Sequence, residues 1–164
     1  APPASLLEEI RTDVLDRAWQ PRLGFIAGAY GGSTVDAAVL WTGLSGMLEP
    51  DDERFIGTVD AVERTLRDGP VVYRYLGEDG LPGREGGFNI CTTWLIRALA
   101  LVGRCDEAEA LLDQYLGLVG PTGLLSEQHD PATDRSLGNV PQAYSHLGLI
   151  ESLLALRGEE CRGD

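Results

Sequence analysis

The chain has 164 residues, 43% hydrophobic and 24% charged, with 26 acidic against 13 basic side chains and a formal charge of -13 at pH 7. Such a size and composition suit one soluble globular domain, long enough to bury a core without a metal or a disulfide. The acidic excess argues against phosphate backbones, so no nucleic-acid partner is expected, and no apolar run is long enough for a membrane span.

Residues 5–19 place Leu6, Leu7, Ile10, Val14, Leu15 and Trp19 on one face of an expected amphipathic helix. A loop with Pro21, Gly24, Gly28, Gly31 and Gly32 follows; it matches neither GxGxxG nor a Walker loop and carries no phosphate role. Ser33 or Thr34 is the expected cap of a second helix, Val35 to Leu48, which is apolar nearly all round and so must be covered nearly all round. Pro50 and Asp51 open a third, with Phe55, Ile56, Val59, Val62 and Leu66 as its stripe. The short connection between the two makes an antiparallel pair.

Segment 68–87 is rich in turn residues, and Val71 to Tyr75 can form a short extended piece. Phe88 to Val102 is again nearly all apolar, Gly103 and Arg104 make a minimal turn, and Ala108, Leu111, Leu112 and Leu116 face inward from the next helix. A long loop, 119–138, leads to a last helix from Val140 to Leu156, ended by Gly158.

Six helices thus alternate between amphipathic and buried, with long loops leading into the buried ones. The expected fold is all-α: three antiparallel helical hairpins, the buried helices forming an inner row, as in half of an (α/α)6 toroid or in an α-solenoid. A half ring leaves its inner helices uncovered on one side, which calls for a complement in the same polypeptide or in a second chain. Cys91, Cys105 and Cys161 form neither a CxxC nor a ligand cluster. Inert free thiols are expected of them, and with no signal-peptide pattern at the start, a cytoplasmic location. No metal or other cofactor is expected.

The stretch Gly123-Leu124-Leu125-Ser126-Glu127-Gln128-His129-Asp130-Pro131 concentrates two carboxylates, an amide and an imidazole on the last long loop. Taken with Asp79-Gly80-Leu81-Pro82-Gly83, Glu85-Gly86-Gly87-Phe88, Cys91-Thr92-Thr93-Trp94-Leu95, Gly103-Arg104-Cys105-Asp106-Glu107-Ala108 and Leu137-Gly138-Asn139-Val140-Pro141-Gln142-Ala143-Tyr144-Ser145-His146, it resembles glycoside hydrolase family 15, the glucoamylases and related bacterial trehalose or glucan hydrolases. These stretches keep their order over nearly the whole chain, so the likeness covers residues 1–164 as the C-terminal half of that family's (α/α)6 catalytic domain. The resemblance implies inverting hydrolysis of α-glucosidic bonds in a neutral glucose-containing saccharide. It also implies Glu127 as the general base, with the general acid in the earlier half of the domain, absent from this chain.

By the same resemblance Arg74 and Glu78 lie where a loop hydrogen-bonds glucose. Arg74 can instead form an ion pair with Glu78 or Asp79. Tyr73, Tyr75, Phe88 and Trp94 can wall a sugar ring, although Trp94 reads better as core. Glu85 can point into the cavity or cap the inner helix. His129 and Asp130 make either a hydrogen-bonded support or a turn before Pro131. Tyr144 and His146 sit at the loop end of the last helix, against ligand or satisfied within the rim. The competing reading of the whole chain is a catalytically inactive helical interaction or structural module, with Glu127 a surface glutamate.

Overall fold

The structure, a computed structural model, describes residues 3–77, 80, 85–158 and 161. Six α-helices are joined by short strands: α1 (Ala4–Ala18), β1 (Trp19–Gln20), β2 (Phe25–Ile26), α2 (Trp41–Leu44, entered through a 3-10 turn, Ala37–Leu40), α3 (Glu53–Leu66), β3 (Arg67–Asp68), β4 (Val71–Val72), β5 (Gly87–Phe88), α4 (Asn89–Leu101), α5 (Cys105–Leu116), β6 (Gln128–Asp130), β7 (Arg135–Leu137) and α6 (Ala143–Ala155). The packing is that of part of an (α/α) toroid. α4 lies at the centre, against α6 and the 3-10 turn with α2 on one layer and against α3 and α5 on the other. Phe55, Val59, Val62 and Leu66 of α3, Leu95, Ile96 and Leu99 of α4, and Leu111 and Tyr115 of α5 are fully buried, the aliphatic and Phe side chains each worth about 1.5–3 kcal/mol of transfer free energy.

The β content exceeds the single extended piece expected. Two antiparallel pairs, β1 with β2 and β3 with β4, accompany a three-stranded antiparallel sheet, β5-β6-β7. That sheet ties the loop before α4 to the loop before α6, pairing Phe88 with Gln128 and Gln128 with Leu137.

The second expected helix is much shorter than Val35 to Leu48. Its cap is Asp36, not Ser33 or Thr34: the carboxylate accepts from Ala38 N at 2.7 Å, two residues on, and opens a 3-10 turn. At the other end Gly46 takes φ 76° and Leu48 N returns to Thr42 O at 2.8 Å, so the last carbonyls are satisfied by a turn and the helix stops at Leu44. The last helix likewise begins at Ala143 rather than Val140.

Two helices turn an unexpected face to the core. On α1 only Leu15 and Ala18 are buried, while Leu6, Leu7 and Ile10 of the expected stripe are exposed. On α6 the buried residues are Ser145, Gly148 and Ser152. A Cβ at Gly148 would overlap the Thr93 side chain, so the missing side chain is what lets α6 lie this close to α4. Leu147, Ile150 and Leu154 point outward and are exposed.

The cysteine expectation is corrected. Cys105, at the start of α5, and Cys161, in the tail after α6, form a disulfide across 56 positions. Only Cys91 is a free thiol, and burial pushes its pKa up to about 12, so it is held as the inert thiol. The pairing becomes possible because Cys161 lies against Ala100 O of α4, the helix that α5 packs on. The thiol-based ground for a reducing compartment goes with it. No helix among the described residues is long and apolar enough to cross a membrane.

Candidate active site

The loops that precede α4 and α6 are both anchored on the first turns of α4. Thr92, fully buried, accepts from Val72 N at 3.0 Å and so holds β4 and the start of the 73–77 loop. Asn89, also buried, donates from Nδ2 to Ser126 O at 2.7 Å, and its backbone N–H donates to Glu127 O at 3.0 Å. Ser145 of α6 donates its hydroxyl to the same Ser126 carbonyl at 2.7 Å, and Ser126 Oγ donates to Gln128 O at 2.7 Å. A short buried polar network spanning α4, the loop and α6 thus fixes the backbone on either side of Glu127. Buried polar groups hold one geometry when they find partners, and the Ser126 carbonyl has two.

Glu127 itself is half-buried. Its N–H donates to Asn139 O at 2.9 Å. Its carboxylate oxygen Oε2 accepts from Asn139 N at 3.1 Å and from Asn139 Nδ2 at 2.9 Å. Gly138, at φ 71°, passes so near that a Cβ there would stand 2.7 Å from Oε2.

The other residues singled out in the sequence divide. Phe88 pairs with Gln128, the residue after Glu127, on the adjacent strand. Glu85 is exposed and borders the same strands: the next residue, Gly86, donates to Gln128 Oε1 at 3.0 Å. It does not cap α4, whose N-terminus has no side-chain cap. Arg74 and Tyr75 stand together, the guanidinium 5.9 Å from the ring centroid. Among the described residues the carboxylate that Arg74 meets is that of Asp36, at 3.6 Å, and not that of Glu127. With Asp36 and Tyr30, Arg74 borders an open, mostly apolar cleft of about 500 Å³. Glu78 and Asp79 lie outside the described residues.

Both open readings at the end of the signature stretch resolve toward structure. Asp130 makes a turn, accepting from Ala132 N at 3.0 Å and from Thr133 Oγ1 at 2.7 Å. His129 is buried and its Nε2 lies 3.2 Å from Asp134 Oδ1, so its support comes from Asp134. His146 accepts from Leu125 N at 3.2 Å and is satisfied within the rim, while Tyr144 is exposed. Trp94 is half-buried and meets Trp41 edge to face, with ring centroids 6.0 Å apart. Asn89, Asn139 and Ser145 were not singled out from the sequence. The signal that could have found them is their place beside Glu127 or at the loop ends of the two apolar helices. Among the described residues no group of three or more His, Cys, Asp or Glu could hold a metal.

The profile of the Glycosyl hydrolases family 15 matches residues 3–154. The chain belongs to that family. Curated relatives include the trehalase of Mycolicibacterium smegmatis, 39% identical over 95% of this chain and 24% of the relative. The trehalase of Thermoplasma acidophilum is 40% identical over 87% of this chain and 25% of its own length. The chain therefore spans about a quarter of the curated relatives it matches. Among solved structures, a wild-type glycosidase superposes with a TM-score of 0.78 at 22% identity, covering 96% of this chain and 43% of the other. A variant glycosidase in complex with glucose superposes at 0.77, again with 22% identity, over 92% of this chain and 44% of the other. At that identity the structural likeness establishes the fold, and it covers only part of the larger chain.

Proposed function

We propose that this chain supplies the general-base side of an inverting α-glucosidase site, acting on trehalose or on the non-reducing ends of glucans or maltooligosaccharides. The observation that carries this reading is the held carboxylate of Glu127, pinned through Oε2 on a loop anchored to two helices, in a family 15 chain whose curated relatives are named trehalases. In the reaction a water oxygen bonds to the anomeric carbon while its proton passes to Glu127. The glycosidic C–O bond breaks, and the departing oxygen takes a proton from a second carboxyl group, about 6.5–9.5 Å from the first in inverting enzymes. That acid comes from outside this chain. Arg74, Glu78, Glu85, Tyr75 and Phe88 bind the sugar, the charged groups through its hydroxyls and the rings against its apolar face.

The complement that closes the ring is the N-terminal half of the catalytic domain, or a second chain, on the open face of the inner layer. Trp41 of α2 and Leu147, Ile150 and Leu154 of α6 are exposed large apolar residues that such a complement would cover. The inactive-module reading is disfavoured because a surface glutamate has no need of two donors converging on one oxygen.

Glu127→Gln in the whole enzyme tests the assignment, with trehalose and maltose as substrates. Turnover should fall by about 10²–10⁴-fold with KM little changed, since the amide keeps the shape but accepts no proton. Wild-type turnover would end the general-base reading.

A further inference from the structure

We infer that Asn139 is the positioning residue for the general base, selecting which carboxylate oxygen of Glu127 faces the attacking water. This rests on the reading of Glu127 given above and adds a role for a residue outside the signature stretch. Three hydrogen bonds join the two residues: Glu127 N to Asn139 O at 2.9 Å, Asn139 N to Oε2 at 3.1 Å and Asn139 Nδ2 to Oε2 at 2.9 Å. Both donors of one residue therefore converge on one oxygen. Oε1 has no hydrogen-bond partner among the described residues.

A carboxylate has two chemically equal oxygens with about four acceptor positions between them. Rotation about its last torsion exchanges the oxygens, because sp3–sp2 torsions are broad and roughly two-fold. A base that must take a proton from one water in one direction loses time and alignment to that rotation. Two charge-assisted hydrogen bonds to Oε2 restrain it and leave the unbonded Oε1 as the proton acceptor. Gly138 completes the clamp. Its backbone passes where a Cβ would stand 2.7 Å from Oε2 and 2.9 Å from Glu127 Cβ, so any side chain there would displace the carboxylate. The φ of 71° at Gly138 is also the one that turns both Asn139 donors back toward Glu127.

A positioning residue differs from a sugar-binding one in what its loss changes. Removing Asn139 Nδ2 should slow the water-activating step and leave substrate binding alone. It should do so equally for substrates that need acid assistance and for those that do not. α-Glucosyl fluoride is of the second kind, because fluoride departs without a proton from the enzyme.

The experiment compares Asn139→Ala and Asn139→Asp with wild type in the whole enzyme, on trehalose and on α-glucosyl fluoride, with thermal melting of each. Asn139→Asp keeps the side-chain volume, removes the donor and sets a second negative charge against Oε2. Both variants should lose about 10–100-fold in kcat on both substrates, with KM within about two-fold of wild type, the scale expected of a group that only misplaces the chemistry. If Asn139→Ala does not fold, Asn139→Asp is judged by the same comparison. Wild-type kcat in the folded variants, a loss confined to trehalose, or a loss carried wholly by KM overturns the inference. The two readings fail separately: an active Glu127→Gln enzyme removes the base itself, whereas an inactive Glu127→Gln beside a fully active Asn139→Ala removes only the positioning role.

Discussion

Asn89 Nδ2 donates to Ser126 O at 2.7 Å, which fastens the residue before Glu127 to the first residue of α4. The bond is fully buried, yet among the described residues Asn89 Oδ1 has no partner. The side chain thus contributes one short bond and a longer one, to Ser126 Oγ at 3.3 Å, and carries one unmet acceptor. Its removal leaves Ser126 O still bonded to Ser145 Oγ, so no new orphan appears at the carbonyl.

Asn89→Ala should therefore cost about 1–2 kcal/mol, at the lower end of what a lost buried hydrogen bond costs. Denaturant unfolding of the chain reads that loss. In the whole enzyme the same change should lower kcat more than it raises KM, because the backbone under Glu127 loosens while the sugar-binding loops do not. A stability loss above about 4 kcal/mol would mean that Asn89 holds much more than one loop.

The packing of α6 makes opposite predictions for neighbouring residues. Gly148→Ala gains about 1 kcal/mol of helix propensity, but its Cβ would overlap Thr93 and stand 2.9 Å from Ile90 Cδ1. Overpacking of that kind costs about 1–3 kcal/mol, so the net change should be destabilising, and Gly148→Leu should be worse still. Ile150→Ser, two residues on at a position 53% exposed, should change the stability of this chain by less than about 0.5 kcal/mol. Thermal melting of the three variants checks the order. A stabilised Gly148→Ala, or a large loss at Ile150, would contradict the face that α6 turns to α4.

The disulfide makes its own labelling pattern. Native, unreduced chain should take up no alkylating reagent, because Cys91 is buried with its thiol held protonated and the other two cysteines are bonded. Denatured, unreduced chain should take up one label, and denatured, reduced chain three. Reduction should lower stability by about 2–4 kcal/mol, the usual contribution of a cross-link closing a loop of this size. Two labels or more on the unreduced denatured chain would show the cysteines to be free.

Much of the architecture was legible in the sequence because it depends on local periodicity. The stripe Phe55, Ile56, Val59, Val62 and Leu66 and the nearly unbroken apolar run from Ile90 to Val102 state which faces must be buried; α3 buries its stripe except for Ile56, which is exposed, and α4 buries Leu95, Ile96 and Leu99 fully and Ile90, Trp94, Leu101 and Val102 in part. The ordered motifs from Asp79 to His146 carried the family, because each is a string of residue types at fixed spacing. Which face of α6 packs could not be read this way. Its large apolar residues suggested a core, whereas close approach of two backbones is governed by the smallest residues on the line, Ser145, Gly148 and Ser152, and only the position of Thr93 makes them matter. The second inner helix shortened for a related reason. Propensity says where a helix can run, but the Asp36 cap, the turn at Gly46 and the bond from Leu48 N to Thr42 O decide where it stops. The union of Cys105 with Cys161 depends on the placing of Cys161 against Ala100 of α4, a tertiary contact. The setting of Glu127 is the clearest division. Its chemistry belongs to a residue type, legible in one line of sequence, whereas its aim belongs to Asn139, Asn89 and Ser145, brought from 12, 38 and 18 positions away by contacts that only the folded chain makes.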